Sequence, residues 1–540
     1  MRRFLPLGAL GAALVAASAA PAQFTDVTAS VLDPNHQYHV TSGHGLGLVW
    51  VDVNNDGFAD LFATNGIGLE EHLWLNNGDG TFDLRDDLLP VLPEYDMMGA
   101  VYADYDNDGD NDIYIFTDNE NFDLWGFNSE DGPPNLLLRN RFMENGGQIL
   151  AGQPLFNEIG SLAGVDDAAN PPFGAYPAYR SSTGGWIDYD RDGWVDLYVV
   201  HWVLQGGGGL GNMDKLYRNN GDGTFSDATV AAGLNDGTDP NRNRPGLVWI
   251  SADFDGNQWP DMWVGNVHDP DPYHYDQIWG NTNGMFIETT GLSPGVGDDT
   301  GAAMGIDVAD PDLDGDWDVY ITDMFDNMLD QTLQNSFYIN NGDGTFQDTT
   351  AIQLGIGSTN SWGCNWFDVD HDGLEDLYVN TMDGFTSHLF WNRGNLRFQS
   401  VGFPAGFQVN ESGRGSATAD YDNDGDLDLA TIAEGGTLRL WRNDTITNNH
   451  WLKLRLEGTA SNRSAIGAEV RLFFDSPGGA ERSLMRVVKG GSSAHSQDDL
   501  VVHFGTRNLQ TVKRVEVLWP SGNVTTLNNV ATDQTLSVVE

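Results

Sequence analysis

A chain of 540 residues is long enough for more than one domain, and a 40% hydrophobic content is typical of a globular protein. The formal net charge of −53 argues against nucleic acid as a partner, because phosphate recognition needs clustered Lys and Arg. Cys364 is the only cysteine, so an intrachain disulfide is excluded and another kind of cross-link is expected.

Residues 1–22 are typical of a signal peptide. Arg2 and Arg3 precede an apolar run, and Ala20, Pro21 and Ala22 fit a small-residue cleavage site. We therefore predict a secreted, periplasmic or cell-surface protein, with Sec and Tat export both left open. No later stretch is apolar enough to predict a membrane span.

An acidic nine-residue pattern then recurs seven times, with DYDNDGDND at 104–112 as its fullest copy. Carboxylates at positions one, three, five and nine, with glycine at the sixth, can turn several oxygens toward one hard cation. One such copy would be an ordinary acidic turn as readily as an ion site. Seven copies, each followed by an apolar strand, predict calcium loops that stabilise an exported protein without disulfides.

The predicted ligands fall into four sets, which define loops one to seven by their first residues. First positions are Asp52, Asp104, Asp188, Asp253, Asp310, Asp368 and Asp420. Third positions are Asn54, Asp106, Asp190, Asp255, Asp312, Asp370 and Asp422. Fifth positions are Asp56, Asp108, Asp192, Asn257, Asp314, Asp372 and Asp424. Ninth positions are Asp60, Asp112, Asp196, Asp261, Asp318, Asp376 and Asp428.

Loop four departs from the pattern. Gly256 stands at its fourth position and Gln258 at the sixth, where the other loops have glycine. We therefore expect a weak or empty site there, and about five to seven calcium ions in all.

Each loop and strand is followed by a hairpin, as in LWLNNGDGTF ending at Phe82. Asn-Gly and Asp-Gly suit hairpin turns, so the acidity of this segment is interpreted as turn chemistry. Four strands per repeat predict a propeller blade. The outer-strand signature FTDVT at 24–28 has no blade before it, and the last repeat ends at Asp444 without one. The sequence thus predicts an all-β fold, with a seven-bladed β-propeller at 23–444 that residues 24–28 close.

Residues 445–540 alternate as strands do, and they predict a small C-terminal β-sandwich. Their charge is nearly balanced, so the acidity lies before Thr445. The polar segment Ser461–Gly467 is predicted to be exposed, either as a structural turn or as a binding loop.

The repeats resemble the FG-GAP or VCBS repeats of integrin α-type propellers. Residues from Trp451 (WLKLRLEGTASNRSAIGAEVRL), HFG at 503–505 and VEVLWPSG at 515–522 resemble the ASPIC/UnbV domain. The whole arrangement is similar to the cartilage acidic protein 1 group. The resemblance implies a secreted calcium-binding protein, and it fixes architecture better than activity.

Function is expected where loops enter the innermost strands, at one mouth of the central channel. Counting back from each loop places His44, Asp96, Arg180, Trp362 and Arg414 there. Such a mouth could bind a polar ligand, or it could be a solvated end of a structural ring. Insertions at 119–154, 201–212 and 268–276 offer further loops of the kind that often carry function.

Two function classes remain open. The first is an extracellular binding or adhesion module for protein or glycan. The second is an enzyme, a lyase, hydrolase or cyclase, with its site at the channel mouth. No nucleophile elbow, phosphate loop, HExxH or CxxC motif is present in the sequence, which makes the enzyme the less favoured class.

Overall fold

The computed structural model describes residues 23–32, 46–66, 69–93, 95–118, 133–167, 180–201, 213–234, 244–266, 276–293, 296, 302–324, 335–349, 354–357, 360–382, 386–401, 412–434, 437–476 and 478–540. The predicted signal peptide, His44, and residues 119–132, 202–212 and 268–275 of the three insertions lie outside this part of the chain. The described fold is all-β. Its short helices are α1 (Thr28–Val31) and α2 (Gly160–Ala163), with 3₁₀ turns at Asp86–Leu88 and Thr290–Leu292.

Seven antiparallel sheets of four strands occupy residues 24–443. β1 (Phe24–Asp26) belongs to the last of them. Sheet one is β2 (Leu48–Val51), β3 (Asp60–Ala63), β4 (His72–Asn76) and β5 (Phe82–Leu84). Sheet two is β6 (Asp96–Ala103), β7 (Asp112–Asp118), β8 (Leu136–Asn140) and β9 (Phe156–Glu158). Sheet three is β10 (Ser181–Ile187), β11 (Asp196–His201), β12 (Lys215–Asn219) and β13 (Phe225–Asp227). Sheet four is β14 (Gly246–Ala252), β15 (Asp261–Asn266), β16 (Gln277–Thr282) and β17 (Met285–Glu288). Sheet five is β18 (Ala302–Ala309), β19 (Asp318–Met324), β20 (Ser336–Asn340) and β21 (Phe346–Asp348). Sheet six is β22 (Ser361–Phe367), β23 (Asp376–Thr381), β24 (His388–Asn392) and β25 (Phe398–Ser400). Sheet seven is β26 (Ser412–Ala419), β27 (Asp428–Glu434), β28 (Arg439–Asn443) and β1.

Burial falls from the first strand of each sheet to the last. The inner strand β10 is buried at every residue, which is expected of a strand packed on both faces. The outer strand β13 buries Phe225 and exposes the next two residues, because one of its faces meets solvent. The Phe of the hairpin signature is therefore a core residue of the sheet edge.

The inner strands contact one another in chain order, and the last contacts the first. β2, β6, β10, β14, β18, β22 and β26 form successive pairs, and β26 also meets β2. In sheet seven, β1 pairs antiparallel with β28, with Phe24 opposite Asn443 and Asp26 opposite Trp441. The seven sheets therefore fit the blades of a propeller-like ring.

The C-terminal residues form two further sheets. One has the order β31-β30-β33-β34 and the other β32-β29-β35, with β29 and β35 parallel. The strands are β29 (His450–Glu457), β30 (Glu469–Asp475), β31 (Glu481–Val487), β32 (Val502–Arg507), β33 (Thr511–Leu518), β34 (Val524–Ala531) and β35 (Gln534–Val539). Leu454, Leu472 and Phe504 share one apolar core that continues into Trp186 of sheet three. The C-terminal domain is thus packed directly on the ring.

Candidate metal centres and the interdomain plug

The nine-residue loops join the first and second strands of each sheet and share one hydrogen-bonding scheme. In loop two, Asp104 accepts the N–H of Asp108 at Oδ1 and that of Gly109 at Oδ2, each at 2.9 Å. Loops one and six repeat both contacts from Asp52 and Asp368. The first carboxylate therefore winds the loop tightly, which brings the third and fifth side chains toward it.

The ninth aspartate ties each loop to the third strand. Asp60 accepts the N–H of Asn76 at 2.8 Å and that of Val53 at 2.9 Å. The bond to the strand-ending Asn recurs in all seven sheets. The ninth side chain is fully buried in every loop, so its charge is held in a low-dielectric setting.

Carboxylate oxygens converge in these loops as a cation site requires. In loops two and five the oxygens of the first, third and fifth residues lie within 4.8 Å of one another, and in loops three and four those of the first, third and ninth do. Burial, reinforced by Asp108, raises the pKa of Asp104 to about 8. Asp188 Oδ2 and Asp420 Oδ1 are buried and have no hydrogen-bond partner among the described residues. Bare buried oxygens with no nitrogen or sulfur donor among them fit a hard cation such as Ca²⁺.

Loop four keeps the shape of the others despite its altered sequence. Gln258 adopts a φ of 70° where the other loops have glycine, and its N–H still reaches Asp253 Oδ2 at 2.7 Å. Gly256 takes a φ of 72° at the fourth position, which is left-handed in the other loops too. The carboxylates of Asp253, Asp255 and Asp261 still come together. The backbone of loop four therefore gives no reason for weak cation binding. A weak or empty site in this loop stays a prediction from its sequence.

A seven-fold latch joins neighbouring sheets. The Asn that ends each third strand donates from its side chain to the carbonyl of the second loop residue in the sheet before it. The bonds run from Asn76 to Tyr421, Asn140 to Val53, Asn219 to Tyr105, Asn281 to Tyr189, Asn340 to Phe254, Asn392 to Pro311 and Asn443 to Val369. The bond from Asn76 closes the circle between sheets one and seven. The sequence does show an Asn at the end of every third strand, but the prediction of turn chemistry concerned the acidic hairpin segment and did not include this contact between sheets.

The C-terminal domain covers the edge of the ring that carries the loops. Arg455 Nη1 lies 3.2 Å from Asp52, Arg463 Nε lies 3.4 Å from Asp104, and Lys453 pairs with Asp420. Trp317 in loop five donates to Glu469 Oε1 at 2.9 Å. The basic residues of the WLKLRLEGTASNR segment therefore serve this contact between domains.

The predicted exposure of Ser461–Gly467 is wrong. Ser461, Asn462, Ala465 and Ile466 are all buried. Arg463 N–H bonds to Asn107 Oδ1 in loop two at 3.0 Å, so the segment packs against the ring. Glycine and polar residues indicated a surface turn, and no local signal revealed the partner surface.

Residues 489–499, here called the plug, enter the ring and bond to six of its seven inner strands. Trp186 N–H donates to Gly490 O at 2.9 Å and Ala100 N–H donates to His495 O at 3.3 Å. Gln497 bonds through its backbone to Leu48 and Trp50. Ile306, Cys364 and Thr418 supply the contacts from β18, β22 and β26. The channel that the ring would otherwise leave is thus filled by the chain's own C-terminal domain.

Close backbone contact and buried charge hold the plug. A Cβ on Gly490 would lie 1.9 Å from Trp186 O, so only glycine fits this approach. Lys489 Nζ lies 2.7 Å from Asp307 and 3.1 Å from Asp498. Asp498 in turn accepts the N–H of Thr418 at 2.7 Å. The side chain of Lys489, 15% exposed, is therefore paired with two carboxylates, as a largely buried charge must be.

The four predicted mouth residues that the structure describes, Asp96, Arg180, Trp362 and Arg414, lie at the edge of the ring opposite the loops, here called the entry edge, where the inner strands begin. Arg180 pairs with the buried Asp118, and the nearby Asp96 has a bare, buried Oδ1 among the described residues. Burial, reinforced by Asp118, raises the pKa of Asp96 to about 8. The structure thus brings Asp96 and Arg180 together, as the sequence grouped them.

Trp362 and Arg414 form a second pair at the entry edge. The Arg414 guanidinium lies 4.0 Å from the centre of the Trp362 ring and also pairs with Glu434. The ring of His495, in the plug, lies 6.4 Å from that of Trp362, and its Nδ1 lies 2.8 Å from Ser182 O. His495 therefore forms part of the floor beneath the predicted mouth, a contribution from the second domain that the sequence did not reveal.

Comparison with known families agrees with this architecture. The FG-GAP-like repeat model matches residues 52–115, 188–264 and 322–379, and the ASPIC and UnbV model matches residues 458–540. The chain belongs to the proteins that join FG-GAP-like repeats to an ASPIC and UnbV domain.

Individual relatives of known name are also similar to this chain. Mouse cartilage acidic protein 1 is 23% identical over 539 residues, which cover 96% of this chain and 76% of the relative. Human cartilage acidic protein 1 is 26% identical over 60% of this chain and 40% of its own length. Among solved structures, rhamnogalacturonan lyase YesW is 14% identical, with a TM-score of 0.39 over 79% of this chain and 76% of the lyase. That score is too low to bear on fold or activity. In the described residues no helix is both long and apolar enough to cross a membrane.

Proposed function

We propose that the chain is an exported, calcium-stabilised seven-bladed propeller that binds an extracellular protein or glycan through its entry edge. Residues 1–22 act as the signal peptide, residues 23–444 form the propeller and residues 445–540 form the domain that locks it. Similarity to cartilage acidic protein 1 and the export-like N-terminus support an extracellular role.

One observation carries the choice of surface. The C-terminal domain covers the loop edge and its plug fills the channel, so the entry edge is the end of the ring that this domain leaves uncovered. Asp96, Arg180, Trp362 and Arg414 lie at that edge near His495, and each of the four residues is at most 7% exposed. Aromatic and charged groups of this kind suit recognition of a polar ligand.

Calcium would be held by the first, third, fifth and ninth residues of each loop. Convergent carboxylates, bare buried oxygens and raised carboxyl pKa values support this assignment. Bound calcium would neutralise the clustered acids and fix the loops against the C-terminal domain.

A second candidate, an enzyme at the same mouth, is supported by Asp96. Its pKa of about 8 would keep this carboxyl protonated at neutral pH, as a general acid requires. Arg180, paired with Asp118, lies beside it. Cleavage of a polysaccharide that Asp96→Asn abolishes would favour this candidate.

The test is a glycan array and a pull-down with the mature, calcium-loaded protein. Glu434→Gln alters the entry edge, whereas Glu481→Gln alters a hairpin of the C-terminal domain that pairs with Lys513. We expect Glu434→Gln to weaken binding to any captured ligand at least several-fold and Glu481→Gln to leave it unchanged. Binding at the entry edge would be contradicted if both variants weakened binding equally, or if neither variant weakened it. Glycans recovered intact would favour the binding module over the enzyme.

A further inference from the structure

Loop two differs from the other loops by what lies beside its seventh residue, Asp110. The oxygens of Asp108, Asp110 and Glu144 lie within 4.8 Å of one another. Glu144 does not belong to the repeat, because it comes from the longer segment between β8 and β9 that stands where other sheets have a short hairpin. A residue from outside the nine-residue pattern thus completes a second acidic cluster.

Asp110 supplies evidence that this cluster is more than an acidic surface. The residue is 1% exposed, and its Oδ2 accepts the N–H of Met143 at 2.7 Å. Its Oδ1 is buried and finds no hydrogen-bond partner in the described part of the chain. A buried carboxylate oxygen left bare is costly, and a bound cation would remove that cost.

The turn that carries Glu144 is held in place by its backbone. Phe142 N–H donates to Asn140 Oδ1 at 3.0 Å, and Asn145 N–H donates to Arg141 O at 2.9 Å. The Met143 bond to Asp110 ties the same turn to loop two. Glu144 itself is exposed, so water could complete a coordination shell on that side.

Arg139 is the competing counterion. Its Nη2 lies 2.7 Å from Glu144 and 3.4 Å from Asp108, and its Nε lies 2.8 Å from Asp106. One guanidinium thus contacts three carboxyl groups, and Asp110 adds a fourth carboxyl group to the cluster. The arginine therefore leaves most of the negative charge unbalanced.

We propose that Asp108, Asp110 and Glu144 bind a second divalent cation, calcium, beside the ion of loop two. Asp108 bridges the two ions, so this proposal rests on the proposed calcium loops. The seventh loop position here contributes its side chain, whereas the repeat pattern assigns it only a backbone carbonyl. Loop two would then be the most highly charged ion site of the ring.

The test counts calcium ions by native mass spectrometry of the mature protein after free calcium is removed. Glu144→Gln is compared with Asp83→Asn, which removes an exposed acid on β5. We expect Glu144→Gln to bind one ion fewer than the wild type and Asp83→Asn to bind the same number. An unchanged count in Glu144→Gln would overturn the second site. A wild type without any bound calcium would instead overturn the proposed calcium loops.

Arg139→Gln tests whether calcium or the Arg139 guanidinium balances the charge of this acidic cluster. If calcium occupies the cluster, removal of the guanidinium should keep the ion count and lower the calcium concentration for half-saturation of this site several-fold. If Arg139 is itself the counterion, the wild type should lack this ion and Arg139→Gln should bind one ion more than the wild type, and that result would also overturn the proposal.

Discussion

The ring is held by two devices of opposite design. The loops and Asn latches repeat once per sheet, so each copy is one of seven similar contacts. The plug occurs once and bonds to six inner strands at the same time. Redundant contacts tolerate the loss of one member, whereas a single shared contact does not.

The two devices also divide the molecule. The loop edge carries the same acidic loop and Asn latch in every sheet, and the C-terminal domain covers this edge. At the entry edge, the described residues also form unlike pairs that occur once, such as Arg180 with Asp118 and Trp362 with Arg414. The repeated contacts that stabilise the ring thus lie at the loop edge, whereas pairs of residues that occur only once lie at the entry edge.

Removal of calcium should have the largest effect, because it acts on all the loops at once. Each ion at a hundred-fold excess over its Kd contributes about 2.7 kcal/mol, so five or more ions contribute on the order of 10 kcal/mol. We expect excess chelator to lower the Tm by at least ~10 °C, measured by scanning fluorimetry, and added calcium to restore it. The same Tm with and without chelator would contradict the calcium loops.

Gly490→Ala should have the next largest effect, since it acts on the plug. The new Cβ would lie 1.9 Å from the backbone oxygen of Trp186, and neither strand nor plug can shift without losing shared contacts. We expect a loss of ~3 kcal/mol in unfolding free energy from denaturant titration. Gly478→Ala in the same domain is the control, because nothing lies within 4 Å of its Cβ. Equal effects of the two substitutions would show that the plug contributes little.

The features of the ring that could be predicted from the sequence are those that repeat in every sheet, and the plug, which occurs once, could not be predicted. Seven repeated loops and hairpins were visible because each copy supports the interpretation of the others. The strands that follow them begin at the ninth aspartate, for example β7 at Asp112 and β27 at Asp428. The carboxylate groups of loops two to five do converge.

The plug could not be predicted, because it occurs once and its sequence, KGGSSAHSQDD, looks like a surface loop. Its burial depends on partners hundreds of residues away, such as Trp50 and Ala100. The same reason explains why Ser461–Gly467 was predicted to be exposed. Single-copy, long-range contacts leave no periodic trace in one sequence.

A single latch should have the smallest effect of the three. Asn219→Ala would leave the buried carbonyls of Tyr105 and Val195 without their donors at 2.8 and 3.0 Å, and Gly221 N–H without its acceptor. Burying such unpaired groups costs about 2 kcal/mol. The side-chain bonds of the adjacent Asn220 stay within its exposed hairpin, to Thr224 and Ser226, so Asn220→Ala should change stability by less than about 0.5 kcal/mol.

Comparison of Asn219→Ala with Asn220→Ala under denaturant therefore isolates the latch from turn chemistry, since both residues belong to one NNG turn. Equal losses of stability would show that Asn219 acts only as a turn residue and that packing, not the latch, closes the ring. A larger loss for Asn219→Ala that still falls short of Gly490→Ala would confirm that the ring depends less on any one repeat than on the single plug.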